Sequence, residues 1–496
     1  MISLMLFAGS IVLAVSAYFI KPMRPVLSSI AIIVMGVSVG FLAVDLPYIF
    51  GIGFVVFGLY QLFNIARLIV HRLHARHLKM AFFVGGGRIL LAQIAVYSLG
   101  YMTNNYTWLS EFWGYALPVA QVGTALFVVG VVVRRIVESK PKNIDTYMSD
   151  RELPTVSVLI PARNEDVFLI ECLKTVVAND YPKLEILVLD DCSSTARIPE
   201  IVKDFAHDGV RFIQGDAPKE DWLPKNQAYE VLANSASGEW LLFMGVDVRL
   251  GTGSIRSLVH YVNNHQKSMI SLLPHRFGPS FWAGFFSPLR YFREMLKVSI
   301  VRPKVPSLST AWLINKDAYF SLGGVASVSR KIVPEHYFAN LLSVDKKYAF
   351  VRTNDILQIT TVKSLAEQMK TSLRVIYPGF HGRMEWSAVS NVAGLLLLFA
   401  PFAQLLYAVQ GGDVKSVFIY AVVVALLTAS HLLIVLFTNP VLWPLAIVNF
   451  PYLVLQEIAL GVMSMYRYEF GEVYWKDRNI CLPNLEAIPH LPKIDP

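Results

Sequence analysis

The spacing of apolar and polar positions changes character twice along this chain. Apolar segments near 2 to 20, 27 to 47, 50 to 70, 82 to 102 and 113 to 133 each approach the length a helix needs to cross a bilayer. From about Pro154 to Val375 the apolar runs shorten, and their period switches between strand-like and helix-like. Long apolar segments return near 388 to 409, 416 to 437 and 441 to 466. The pattern predicts five transmembrane helices within 1–138, a soluble domain over 150–380, interfacial and about three transmembrane helices within 381–466, and a tail over 467–496. Helices are the expected form because they satisfy their own backbone hydrogen bonds in lipid. Met1 to Ile20 has no basic leader and further spans follow it, so it reads as a retained helix rather than a cleaved signal.

The flanking charges give an orientation. Lys21 and Arg24, the run from Arg67 to Lys79, and Arg134, Arg135, Lys140 and Lys142 fall on alternate ends of the spans. The opposite loops, around Asp45 and from Thr103 to Glu111, carry no Lys or Arg. Positive-inside sorting then places the N-terminus outside and the soluble domain in the cytosol, as in a multi-pass protein of the plasma membrane. The last apolar segment contains Pro444, Pro451, Gln456 and Glu457. Polar residues at membrane depth face protein or a cavity, so this segment is open to being broken, re-entrant or doubled. Three full crossings would put the tail outside, and the sequence leaves that parity open.

Within the soluble domain, Thr155 to Ile160, Leu184 to Leu189, Val210 to Ile213 and Trp240 to Met244 read as strands. Glu165 to Val177, Pro199 to His207 and Asn226 to Ser235 read as the helices between them. Strands alternating with helices predict an α/β fold on a mostly parallel sheet, with ligands beyond the carboxyl ends of the strands. Acidic residues gather at those ends. Asn164 and Glu165 follow the first strand, Asp190 and Asp191 end the second, and Asp247 follows the strand Trp240 to Met244. Taken singly, Asn164 reads as a helix cap and the Asp pair as turn chemistry. Taken together, they are placed to converge on one crevice.

Composition sharpens the partners. Of 496 residues, 54% are hydrophobic and 16% charged, as a protein largely in lipid requires. The net charge of +8 comes from Lys and Arg scattered beside apolar runs, which argues against a nucleic-acid partner. Cys172, Cys192 and Cys481 are odd in number and lack metal-ligand spacing, so no disulfide framework is expected. The aromatic and basic stretch Phe281 to Ile300 suits a segment in the headgroup region, where it would guide a lipid or pack on the protein's own helices.

Three stretches together resemble the family 2 glycosyltransferases of the GT-A fold: PARNE from Pro161 to Glu165, LDDCSS from Leu189 to Ser194, and WLPKNQAYEVLANSASGEWLLFMGVD from Trp222 to Asp247. The resemblance spans the soluble domain and is nearest the membrane branch that glycosylates hopanoids, carotenoids and related lipids. GEVYWKDRN, Gly471 to Asn479, is similar to that branch's closing Trp-Lys-Gly-Arg signature, with Asp477 in place of the glycine. The resemblance implies a Rossmann-like GT-A catalytic domain inserted between transmembrane helices, a nucleotide-sugar donor and a membrane lipid acceptor.

Site roles follow from the same resemblance. Pro161, Ala162, Asn164, Glu165, Asp190, Asp191, Lys225 and Val246 would contact the donor. Asp247 would hold Mg²⁺ or Mn²⁺, hard cations that prefer oxygen ligands. The first acid of the family's Asp-x-Asp motif is replaced by Gly245. After Gly323 and Gly324, the family's base falls on Glu335, with Pro334 in place of an acid and His336 as a rival base. The Gln-x-x-Arg-Trp motif of polymer-making members is absent, since Phe380 to Trp386 reads FHGRMEW. A processive polysaccharide synthase is thus disfavoured against a single transfer, and a non-catalytic nucleotide-sugar or lipid-handling protein is the other alternative. His381, Arg383, Trp475 and Arg478 are candidate phosphate or acceptor contacts, and an interfacial Arg or Trp also serves as a membrane anchor. No oligomeric state is specified.

Overall fold

A computed structural model describes residues 2–19, 31, 34, 102, 107–141, 149–194, 197–219, 221–278, 280–298, 304–469, 473–476 and 478–481. The expected spans near 27 to 47, 50 to 70 and 82 to 102 fall almost wholly outside these residues. Helices α1 (Ile2–Phe19) and α2 (Thr107–Glu138) precede the soluble domain. The domain opens with β1 (Val156–Ala162), α3 (Asp166–Val177), β2 (Leu184–Asp190), α4 (Arg197–Asp204), β3 (Val210–Gln214), α5 (Pro224–Ser235) and β4 (Trp240–Met244). It continues through β5 (Val248–Arg249), α6 (Ser254–Asn264), β6 (Met269–Leu273), β7 (His275–Phe277), α7 (Phe281–Phe285) and α8 (Arg290–Met295). Next come β8 (Ala311–Asn315), α9 (Lys316–Ser321), α10 (Glu335–Val344), β9 (Tyr348–Arg352), β10 (Thr360–Val362) and α11 (Leu365–Val375). The chain then runs through α12 (Met384–Ala393), α13 (Ala400–Gly411), α14 (Val414–Thr438), α15 (Trp443–Glu469) and the short pair β11 (Tyr474–Trp475) and β12 (Arg478–Asn479).

The expected α/β domain is present. Seven strands form one sheet in the order β3-β2-β1-β4-β8-β6-β9, and β8 alone runs antiparallel to its neighbours. Alternation along the strands splits the core between the two faces, as a period of two requires. Leu159, Leu187, Leu241 and Phe243 enter one cluster, while Val158, Ile186, Leu242 and Met244 enter the other. On the first face Phe243 stacks on Trp312 at 4.1 Å between ring centroids, and Tyr319 on Phe338 at 5.2 Å, which seats α10 against the sheet.

That first face does not end at the domain. Its cluster runs on through Val128 and Val132 of α2, Val423 and Leu427 of α14, and Phe450 and Leu453 of α15. Among the described residues, four helical stretches are long and apolar enough to cross a membrane: Gly114–Glu138, Trp386–Gly411, Val414–Thr438 and Pro440–Glu469. The last of these contains one uninterrupted α-helix, α15, rather than a broken segment, although Pro451 lies inside it. Its polar residues turn toward the soluble domain. Asn449 donates to the Phe285 carbonyl at 3.0 Å and Gln456 to the Phe286 carbonyl at 2.9 Å. Glu457 pairs with Arg293 and accepts from the Leu289 amide at 3.2 Å. The aromatic stretch that begins at Phe281 is therefore two short helices, α7 and α8, fastened to α15.

Candidate active site

The loops leaving β1 and β2 lock together at the carboxyl edge of the sheet. Asn164 adopts φ 51°, a left-handed conformation that Asn tolerates better than most residues. Its Oδ1 accepts from the Ser194 amide at 2.9 Å and hydroxyl at 3.1 Å, so it joins the loops instead of capping α3. Asp190 accepts from the Ser193 amide at 3.0 Å and hydroxyl at 2.5 Å. The side chains of Asn164 and Asp190 are thus engaged in holding the loops, while Pro161 and Ala162 belong to β1 itself.

Asp191 and Glu165 face a different partner, the hairpin of β11 and β12. Asp191 is 4% exposed, and Arg478 donates to its Oδ1 at 2.7 Å. Its Oδ2 is buried with no hydrogen-bond partner among the described residues. Burial raises the Asp191 carboxyl above its ordinary pKa, against the pull of Arg478. Glu165 pairs with Lys476, and burial pushes its carboxyl up too despite that cation. Arg163 binds the hairpin to the strand ends by donating to the carbonyls of Lys476 at 3.1 Å and Asp191 at 2.7 Å. Trp475 lies on β11 with the Lys476 ammonium 5.4 Å from its ring.

Asp247 follows β4 and reaches the three-stranded sheet of β5, β10 and β7. Its Oδ2 accepts from the Thr361 hydroxyl at 2.8 Å and pairs with Lys363 at 3.1 Å. Burial alone would raise this carboxyl, but Lys363 and Thr361 outweigh it and hold the pKa below the ordinary value. Gly245 has a steric consequence here. A Cβ at that position would stand 2.5 Å from Asp247 Oδ1, so Asp247 occupies the space an acid at 245 would claim. Among the described residues no three His, Cys, Asp or Glu cluster as a ready-made metal site. Asp247 fits a cation that takes one carboxylate and completes its shell with substrate phosphates and waters, as Mg²⁺ commonly does. Val246 is 2% exposed in the apolar core, and its carbonyl accepts from Arg249 at 2.7 Å.

Glu335 begins α10 and is 0% exposed, with both carboxylate oxygens unpartnered among the described residues. Lys225, in the first turn of α5, lies 4.9 Å from the Tyr229 ring centroid. Burial depresses its ammonium to about 8, with Glu335 acting in the opposite sense. His336 turns elsewhere. Its Nε2 is 2.9 Å from Lys297 Nζ, 3.1 Å from the Ser307 carbonyl and 3.4 Å from Glu294. Lys297 and His336 hold the buried Glu294 well below the usual carboxylate range against the opposing effect of burial. His381 and Arg383 lie on an exposed turn before α12, and neither forms an ion pair among the described residues.

Lys476 thus acts on both Glu165 and Asp191, Lys363 on Asp247 and Glu165, and Glu335 on Lys225, while His336 pairs with Lys297 and Glu294, the Val246 side chain is in the core and Arg383 is exposed. Sequence reasoning missed Arg163, Thr361, Lys363 and Lys476. Arg163 sat within the PARNE stretch, and Lys476 alternates with Arg478 across a tight turn. Lys363 carried no local signal, because its partner Asp247 is far back along the chain.

Comparison with known proteins bears on the family of the soluble domain. Residues 157–320 match the family model described as glycosyl transferase family 2. A 4,4'-diaponeurosporenoate glycosyltransferase of Staphylococcus aureus is 22% identical over 187 residues, covering 36% of this chain and 48% of the relative. A probable glycosyltransferase, YdaM, of Bacillus subtilis is 52% identical over 58 residues, covering 11% of this chain and 14% of the relative. The chain thus spans about half the length of the first relative and far less of the second. A mannosyltransferase from Pyrobaculum calidifontis, solved with GDP-mannose and Mn²⁺, aligns with a TM-score of 0.42 at 17% identity, over 70% of this chain and 96% of that one. Residues 157–320, with the carboxylates gathered at the edge of their mostly parallel sheet, are a glycosyl transferase family 2 domain.

Proposed function

We propose that this chain is a multi-pass membrane glycosyltransferase that moves one sugar from a nucleotide-diphosphate sugar to a lipid acceptor at the cytosolic membrane face. The observation that carries this reading is the fully buried carboxylate of Glu335, unpartnered among the described residues and near enough to act on Lys225, in a domain whose core continues into apolar helices. The transfer is a direct displacement with inversion. An acceptor oxygen forms a bond to the anomeric carbon as the bond to the diphosphate oxygen breaks, and the nucleoside diphosphate leaves with the electron pair. For an alcohol acceptor, Glu335 takes the hydroxyl proton. Asp191 Oδ2 is a buried acceptor atom suited to a ribose hydroxyl or base N–H. Asp247 would hold Mg²⁺ or Mn²⁺, whose charge would offset that of the leaving diphosphate. The carotenoid-type relatives support a lipid acceptor, as does the attachment of α7 and α8 to α15.

The direct test is transfer by the purified protein in lipid nanodiscs, using labelled UDP- and GDP-sugars with extracted membrane lipid. Donor hydrolysis without any glycolipid would sink the acceptor assignment.

Two smaller predictions arise here. Arg478→Ala leaves Asp191 buried without its cation, so nucleoside diphosphate should bind about tenfold more weakly, or about 1.4 kcal/mol. Calorimetric titration with UDP and GDP reads this directly. The second concerns pH. The Lys225 ammonium, depressed to about 8, is charged below that pH and neutral above it. If its charge steadies the diphosphate, kcat/KM should fall as pH rises through about 8. The Lys225→Arg variant should keep its rate there, because a guanidinium stays charged. Superimposable profiles would dissociate Lys225 from the leaving group.

A further inference from the structure

Glu335 belongs to the buried stripe of α10. It recurs there with Phe338, Ala339 and Leu342 at helical spacing, so its carboxylate faces the core. Among the described residues neither of its oxygens is held by a hydrogen bond, and Pro334 before it gives the helix no side-chain cap. Its place depends on how the first turn of α10 is anchored.

His336 and Asn340 stand one turn apart on a neighbouring face, and both are gripped. Asn340 Oδ1 accepts from the Val305 amide at 3.1 Å. Around His336 Nε2, Lys297 Nζ stands at 2.9 Å, the Ser307 carbonyl at 3.1 Å and Glu294 Oε2 at 3.4 Å. Lys297 in turn donates to Glu294 Oε1 at 2.8 Å. Lys297 also reaches the base through charge. Burial lowers its pKa, while Glu294 and Glu335 act in the opposite sense.

The same cluster meets the apolar helices. Arg135, in the last turn of α2, donates to the Lys297 carbonyl at 3.1 Å. On α8, Phe292 packs on Phe450 of α15 with 5.4 Å between ring centroids, and Arg293 pairs with Glu457 of α15. The next residue, Glu294, faces the His336 ring. Consecutive residues of α8 therefore contact a membrane-length helix and the helix of the base. Such a link bears on rate, because a base must first meet the hydroxyl in hydrogen-bond geometry. A misplacement of about 1 Å costs on the order of 100-fold.

We propose that Glu294, Lys297 and His336 are positioning residues for the base, pinning the first turn of α10 so that the Glu335 carboxylate meets the acceptor hydroxyl. The role rests on the reading of Glu335 as general base.

The test is a double-mutant cycle on transfer by the full-length protein in nanodiscs, with labelled UDP- or GDP-sugar and extracted membrane lipid. Glu294→Gln and Lys297→Met should each lower kcat by about tenfold or more and leave the donor KM within about twofold. Lys297→Arg keeps the charge and should stay within about threefold of wild type. Added to Glu335→Gln, either change should slow transfer no further, because a base already removed cannot be misplaced. Should Glu294→Gln fail to fold, Lys297→Met carries the cycle alone. Effects that multiply, a wild-type kcat in the single variants, or a loss confined to KM would overturn the positioning role while leaving Glu335 as base. A wild-type kcat in Glu335→Gln would instead remove the base, and this role with it. Where wild type uses neither donor, hydrogen exchange decides. The peptide carrying the His336 and Tyr337 amides should then exchange about tenfold faster or more in Lys297→Met, with the peptide carrying β4 unchanged. That result upholds the anchoring and sinks the transfer reading, and equal exchange refutes the anchoring.

Discussion

Asp247→Asn should lower kcat for sugar transfer by about 100-fold or more, on the scale seen when a group that stabilises developing charge is removed. The substitution is isosteric, so its effect is electrostatic. Asp247 Oδ2 is the partner of both Thr361 and Lys363, and its Oδ1 fills the space over Gly245. An amide retains that volume and loses the charge. Because Gly245 stands where a second acid would be, no neighbouring carboxylate in the motif compensates. The measurement is steady-state transfer with added Mn²⁺ or Mg²⁺, alongside a thermal melt to show that the fold is intact. An Asn variant with wild-type kcat would move the charge-stabilising role to Lys363 and its neighbours.

Glu335→Gln should lower kcat for an alcohol acceptor by about 100-fold to 10,000-fold, the range of general-base catalysis, while leaving nucleotide affinity within about twofold. The separation of the two effects is what distinguishes a base from a structural residue. Among the described residues neither Glu335 oxygen has a hydrogen-bond partner, so an amide breaks no described hydrogen bond and the α10 helix keeps its first residue. The readout is mass spectrometry of lipids from cells carrying the wild type or the variant. An undiminished glycolipid would remove Glu335 from the base role and direct attention to an acceptor that brings its own oxyanion.

The first four strands were legible because they are short apolar runs with turn residues between them. β1 extends two residues beyond its expected end, through Pro161 and Ala162, because its register with β2 continues to the Ala162–Asp190 pair. The antiparallel β8 was not legible, since its pairing partners β4 and β6 are set by tertiary packing rather than by local period. In the site, acids at strand ends could be read because each sits beside its own strand. Their cations could not. Lys363 and Lys476 arrive from separate later segments, and nothing in local spacing links them to Asp247 or Glu165. Val246 stands in the turn between β4 and β5 with its side chain in the core, so only its main chain is left to face outward there.

The grip of Arg478 on Asp191 also constrains how the chain is threaded. A hairpin that touches the strand ends must emerge on the face of the membrane where those strands lie. Three apolar stretches separate the soluble domain from that hairpin: Trp386–Gly411, Val414–Thr438 and Pro440–Glu469. Three complete traverses would deliver the hairpin to the far side, away from the strand ends it touches. Of the three, α15 is the helix that holds to the soluble domain along its length, through Asn449, Gln456 and Glu457 bonded to that domain's main chain.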